Sequence, residues 1–286
     1  SFNWHEENWN YLASGSLAGH IIECGTQSTG GNFTDWELIA DQIDTMGYPI
    51  VEIFENSDFN CLKSNKSGGL VSVGTVSEQM LYEIGDPQAY VLPDVICDFS
   101  EVQIKQMDKD IVEVKGAIGY PAPKDYKVSM TYSDGFRGGH LMSFVGIDAS
   151  KKANAYGEAI FKRSRNIMKK MNISDFTETS IEILGDESQY SKKNKSLNSR
   201  EVVLKYAAKH EDIKAIGIML KESVGLGLST PPGLSGFAGA RPKPSPVVRL
   251  FSFLIPKSTV NIKVLFEDKD FDTKVYQGQD FDLAKI

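Results

Sequence analysis

The densest concentration of reactive side chains runs from Gly19 to Trp36. It holds His20, Glu23, Cys24, Gln27, several hydroxyls and Asp35 around the loop Gly25-Thr26-Gln27-Ser28-Thr29-Gly30-Gly31-Asn32. Such a loop can aim backbone N–H groups, and the start of a following helix, at an anion or a developing oxyanion. Glu23 or Asp35 is a candidate general base if desolvated. Cys24 is a candidate nucleophile if its thiolate is stabilised, and His20 is a further candidate catalyst. The competing reading is a tight polar turn, with Thr34 or Asp35 capping a helix and Cys24 and His20 filling structural places.

A second candidate spans residues 225–249. It has five glycines, five prolines, Arg241, Lys243 and Arg249, and no acid. Arg241 offers a two-pronged contact to phosphate or carboxylate. A proline-braced connection into the last strand is the alternative. The segment matches neither the P-loop nor the GxGxxG pattern. Ser67-Gly68-Gly69 is a third candidate, its backbone either joining a ligand pocket or forming a plain loop. Lys192, Lys193, Lys195 and Arg200 read as a solvated surface loop, and Asp94 and Asp98 as turn residues.

Composition limits what these groups can serve. The chain has 286 residues, 41% apolar and 24% charged, with a formal charge of −7. That balance is globular and acidic, which disfavours general nucleic-acid binding. No run is long and apolar enough to span a membrane. Cys24, Cys61 and Cys97 are sparse and odd in number, without a CxxC or Cys/His pairing. They predict neither a disulfide framework nor a metal site, and point to a reducing compartment such as the cytoplasm or a mitochondrial matrix. The first residue is Ser1, close to a helical pattern, as in a piece of something longer.

The positioning elements follow from periodicity. Residues 4–24 predict two short helices. A helix of about ten residues follows Thr34 or Asp35 and ends before Gly47. Tyr48–Phe54 and Phe59–Lys63 read as strands, and Ser77 as the cap of a helix carrying Met80, Leu81 and Ile84. Val95–Gln106 pairs with Ile111–Ile118, and Tyr126–Tyr132 with His140–Ile147 across Ser133-Asp134-Gly135. From His140 to Ile255 the order is β-α-β-β-α-β, the ferredoxin-like arrangement. The expected class is therefore α/β with mixed sheets, organised as 1–94, 95–266 and an acidic tail, 267–286.

Gly19–Trp36, with Gly68-Gly69-Leu70-Val71, Tyr82-Glu83-Ile84-Gly85-Asp86-Pro87, Leu92-Pro93-Asp94-Val95, Tyr126-Lys127-Val128-Ser129 and Pro246-Val247-Val248-Arg249-Leu250-Phe251, resembles the acyclic terpene utilisation family of AtuA type. The likeness runs collinearly through nearly all of residues 1–260. It implies a place beside pathways that degrade acyclic terpenes through CoA thioesters. It also implies a preceding α/β half of roughly two hundred residues in other members, so that this chain is expected to be a fragment lacking that half, to have it as a separate partner chain, or to be a divergent short form.

Two functional expectations result. One is a catabolic enzyme, or half of one, acting on a small branched acyl or acyl-CoA substrate as a lyase, hydratase or thioester hydrolase. Glu23 or Asp35 would move the proton and the 26–32 loop would stabilise the oxyanion. Thr29, Gly30, Gly31, Asn32, Gly68, Gly69, Arg241, Lys243 and Arg249 would hold the ligand. No cofactor is required beyond the CoA moiety of the substrate. The other expectation is a non-catalytic subunit, or an acyl-CoA or carboxylate binder, within a homo- or hetero-oligomer.

Overall fold

The computed structural model describes all residues except 1, 3, 6, 191–198, 237–238, 267–268 and 272–286. The lysine cluster at 192, 193 and 195 and the tail from 272 lie outside the described residues. The chain divides into two units, 1–128 with 253–286, and 129–252. The expected boundary after residue 94 falls inside the first unit, between two strands that pair with each other.

The first unit begins with α1 (Trp9–Glu23), one helix where two were expected. Gly15 and Gly19 lie within it. A helical glycine costs about 1 kcal/mol, while each buried Leu or Ile returns about 1.5–3 kcal/mol. Ala13, Leu17, Ala18 and Ile21 are all buried on one face, so the helix runs through. Strands β1 (Pro49–Ile53) and β2 (Phe59–Lys63) form as expected.

Helix α2 (Val73–Leu81) starts five residues earlier than Ser77 suggested, because Ser72 and Thr75 form a reciprocal capping box. The helix expected after Thr34 is instead two short 3-10 turns, Trp36–Leu38 and Ala40–Gln42. There Ile39 is buried while Trp36, Leu38 and Ile43 face solvent. No apolar stripe is covered, so nothing stabilises a longer helix.

Strands β3 (Tyr90–Val91), β4 (Val95–Asp98), β5 (Gln103–Asp108), β6 (Ile111–Lys115) and β7 (Ile118–Pro121) replace the two long strands expected over 95–118. One sheet has the order β1-β2-β6-β5 and another β3-β4-β7, all antiparallel. Phe59, Cys61, Val112 and Val114 pack with Leu17 and Ile21 of α1 in the core of this unit. Gly119 lets the start of α1 approach β7: a Cβ there would lie 1.9 Å from the Trp9 carbonyl oxygen, and the Gly119 N–H donates to Asn10 Oδ1 at 2.9 Å.

The second unit carries the predicted ferredoxin-like order. Its elements are β8 (Asp125–Val145), α3 (Ala149–Lys170), β9 (Glu178–Leu184), β10 (Glu201–His210), α4 (Ile213–Gly225), β11 (Leu234–Ser235) and β12 (Ser245–Pro256). Strand β10 is antiparallel to both β8 and β9, so β8 and β9 run parallel on either side of it. The short β11 pairs with β8 through Leu234 and Ser235 and completes the order β11-β8-β10-β9, the split βαβ arrangement, while β12, the strand expected in that place, pairs with β8 off this path.

Strand β8 is continuous for 21 residues, so Ser133-Asp134-Gly135 is not a hairpin turn. Gly135 is needed for close approach: a Cβ there would lie 2.7 Å from the His210 carbonyl oxygen. Helices α3 and α4 bring Tyr156, Ile160, Ile216, Met219 and Leu220 into one core with Phe144, Leu204 and Tyr206. The alternation of β10 leaves Val203, Lys205, Ala207 and Lys209 on the opposite, open face. Among the described residues no helix is long and apolar enough to cross a membrane.

Candidate functional site

The crowded stretch after Gly19 satisfies its own polar groups. His20 is buried in α1. Its Nε2 lies 2.9 Å from the carbonyl oxygen of Gln79, so that nitrogen carries the proton and donates. Its Nδ1 lies 3.2 Å from Glu23 Oε2, and the Gln79 side chain donates back to the His20 carbonyl at 2.8 Å. Both ring nitrogens are therefore held within the chain. Glu23 keeps an exposed carboxylate. Asp35 is exposed and makes no capping hydrogen bond.

The loop behaves likewise. Ser28 donates to the Ile21 carbonyl at 2.6 Å, and Thr29 to those of Thr26 and Gly47. The Gly30 and Gly31 N–H groups donate to Gln27 and Thr26 carbonyls. These are the donors an oxyanion would need, and they are spent on the turn itself. Asn32 adopts a left-handed φ of 54° and reaches Gln27 Oε1 at 3.4 Å. Gly69 does come to this loop, packed on the Thr29 carbonyl, to which the Leu70 N–H donates at 2.9 Å, while its own N–H is bound by Gln42 Oε1; Gly68 instead bonds Thr45 and Gly47. Arg241, Lys243 and Arg249 belong to the second unit.

The cysteines are free thiols. Burial pushes Cys61 and Cys97 up to about 12, so neither forms a thiolate near neutrality. Cys24 is half-buried. An aromatic disulfide reagent should label one thiol quickly in the native protein and all three after denaturation. Fast labelling of two or three native thiols would contradict the packing of Cys61 and Cys97.

A Ser–His contact elsewhere invites comparison with a nucleophile and its base. Ser174 Oγ lies 3.0 Å from His210 Nε2. However, His210 Nδ1 accepts the Asp212 N–H at 2.8 Å, so in the neutral ring Nε2 holds the proton. It donates to Ser174 and cannot take the serine proton.

Charge converges instead on the open face of the second unit's sheet. A depression of about 280 Å³ is lined by Arg137, Glu178, Thr179, Ser180, Lys209 and Arg249, with alanines and Val247 between them. Register explains the grouping. Arg137 of β8 is directly opposite Lys209 of β10, which is opposite Glu178 of β9. Arg249 reaches the same row from β12, contacting Asp134 and, at 3.3 Å, Glu178. Lys209 also binds Asp134, and lies 3.5 Å from Glu178.

Two carboxylates thus neutralise two cations, and among the described residues none pairs with Arg137. Like charges directly opposite on a sheet repel. An anion placed over Arg137 and Lys209 relieves that repulsion, and Ser180 of β9 lines the same depression. Of the sequence candidates only Arg249 is here. The others were missed because their signal was a strand alternation putting Arg137, Lys209 and Glu178 on the wet face of three separate strands.

The hydrogen bond from Lys209, followed by the charge of Arg249, holds the Asp134 carboxyl below its usual 3.8. A carboxyl lowered in the fold stabilises it above the ordinary carboxylate range, and that contribution fades as pH falls through the folded value. Denaturant unfolding at pH 5 and pH 3 should show Asp134→Asn losing less stability over this interval than the parent. Equal losses would mean the cluster is not coupled to folding.

Searches of curated proteins and of solved structures return no match. The family model described as acyclic terpene utilisation family protein AtuA matches residues 1–266. That span takes in both the polar loop and the charged row. The chain belongs to the acyclic terpene utilisation family AtuA, and its role lies in acyclic terpene utilisation.

Proposed function

We propose that the protein acts on a small branched acyl compound of terpene catabolism by holding its acidic end, a carboxylate or the phosphates of a CoA thioester, in the depression of the second unit. Arg137, which has no carboxylate partner among the described residues and stands beside Lys209 and Arg249, is the observation that carries this reading. A guanidinium in that position offers a two-pronged contact to carboxylate or phosphate. The volume of about 280 Å³ suits an acidic head rather than a whole acyl-CoA. Leu141, exposed on the same face of β8, offers apolar surface for the hydrocarbon part.

Calorimetry with CoA, a branched ten-carbon carboxylate and its CoA thioester tests the reading. At least one should bind, with affinity falling as salt rises. Arg137→Ala should weaken it tenfold or more, about 1.4 kcal/mol. Binding unchanged by Arg137→Ala, or no heat with any of the three at millimolar concentration, would end the proposal.

A second reading keeps acid/base chemistry and rests on Glu23, whose exposed carboxylate lies 3.2 Å from His20 Nδ1. Here Glu23 would take the proton from the acyl substrate, and the carboxyl so formed would donate to His20 Nδ1. Turnover of the thioester that survives Glu23→Gln would remove it.

A further inference from the structure

The charged row of the second unit has a definite charge balance. Arg137, Lys209 and Arg249 are its cations, and Asp134 and Glu178 its carboxylates. Lys209 and Arg249 each contact both carboxylates. One positive charge is left over, and it belongs to Arg137, whose guanidinium matches a carboxylate in a two-pronged contact. A single carboxylate therefore completes the row. CoA carries a phosphomonoester and a diphosphate, so it brings several negative charges to a surface that already holds Asp134 and Glu178. Those two fixed carboxylates oppose it as like charges, which discriminates by repulsion.

The strand register also shapes what lies beside the row. The next row on the open face is Gly139, Ala207 and Ser180, set opposite one another. Gly139 carries no side chain and Ala207 only a methyl, so the floor is low there. Val247, two residues from Arg249 on β12, lines the same depression. One row further stand Leu141, Lys205 and Glu182. Lys205 and Glu182 are paired at 2.8 Å and add no net charge, and Leu141 is exposed. From Arg137 to Leu141 is four residues of strand, about 13 Å. This face thus offers a cationic end, a low middle and an apolar far end.

We infer that the depression takes a branched hydrocarbon acid as its free monocarboxylate rather than as a CoA thioester, with the carboxylate on Arg137 and the chain lying over Gly139 and Ala207 toward Leu141. The inference rests on the reading of this row as an anion site, and narrows it to one class of anion. A thioester has no carboxylate to offer Arg137, and its neutral carbonyl leaves the surplus charge unmet. Glu178 becomes a specificity residue, since it turns away multiply charged ligands without being needed to hold a singly charged one.

Calorimetry at low salt with a branched ten-carbon carboxylate, its primary amide, CoA and the CoA thioester tests this. The carboxylate should bind about tenfold or more tightly than each of the other three, and Arg137→Ala should erase that preference. Glu178→Gln should tighten CoA about threefold or more, and by a larger factor than it changes the carboxylate. Ala207→Ile fills the low middle at a strand position that favours β-branched residues. It should weaken the carboxylate about fivefold or more while the thermal midpoint is kept.

CoA or the thioester binding through Arg137 as tightly as the free acid would overturn the inference and leave the anion reading standing. So would an amide that binds as well as the acid, provided CoA still needs Arg137. An Ala207→Ile variant that keeps both its thermal midpoint and its carboxylate affinity would overturn the placement of the chain. Silence from all four ligands, or binding indifferent to Arg137→Ala, would overturn the inference and the anion reading together.

Discussion

Replacing Gly69 with valine should lower stability by about 2–6 kcal/mol, read as a shift in the denaturant midpoint at unchanged slope. Two costs add. Gly69 has a φ of 95°, where a β-branched residue is strained by about 1–3 kcal/mol. A Cβ there would also lie 2.5 Å from the Thr29 carbonyl oxygen, and overpacking against immovable backbone costs about 1–3 kcal/mol more. The Thr29 carbonyl cannot retreat freely, because it accepts the Leu70 N–H while the Thr29 hydroxyl is fixed on Gly47. The result also discriminates between roles for the 25–32 loop. A structural turn predicts a large loss of stability. A tolerant response, with stability kept, would mean that the loop moves and that its N–H groups can turn outward.

Phe144→Ala should cost the second unit about 3–5 kcal/mol. Phe144 is fully buried on the helix-covered face of β8, with its ring 5.6 Å from that of Tyr156. Removing the ring leaves a cavity between sheet and α3 that neighbours bound into the sheet cannot close. The consequence extends to the binding reading. Phe144 and Arg137 lie on opposite faces of β8, and it is burial of the first that fixes which residues face outward. The variant should therefore lose stability while its folded form still binds acidic ligand through Arg137. Loss of binding in a variant that remains folded at the temperature of measurement would show that the row tolerates no adjustment of the strand.

How much could be read in advance depended on where the deciding contacts lie. The pairing of Pro49–Ile53 with Phe59–Lys63 was legible because a polar turn joins two short β-rich runs, and both signals are local. The ferredoxin-like order was legible for the same reason, since each strand and helix announces itself by its own period. Helix α1 was misread as two because apolar periodicity is a local signal while the burial of Leu17 and Ile21 against the sheet is not. The turn reading of Ser133-Asp134-Gly135 failed in the same way. The glycine serves a close approach to His210, 75 residues away, and Asp134 serves ion pairs with Lys209 and Arg249.

The candidate site divides along the same line. Proximity in sequence drew attention to residues 20–35, and the structure uses those groups largely on one another, as neighbours in a chain most easily do. The charged row at 137, 178, 209 and 249 is assembled from four strands and has no local signature. Sequence by itself determined the class, the alternating strands, the family and the acid-free composition of residues 225–249, because these are properties of composition and short-range order. Only tertiary structure decided which polar groups are spent internally and which stand together at the surface. Hydrogen-bond partners and strand register are set by long-range pairing, and a shift of one residue would turn Arg137 and Lys209 to the other face.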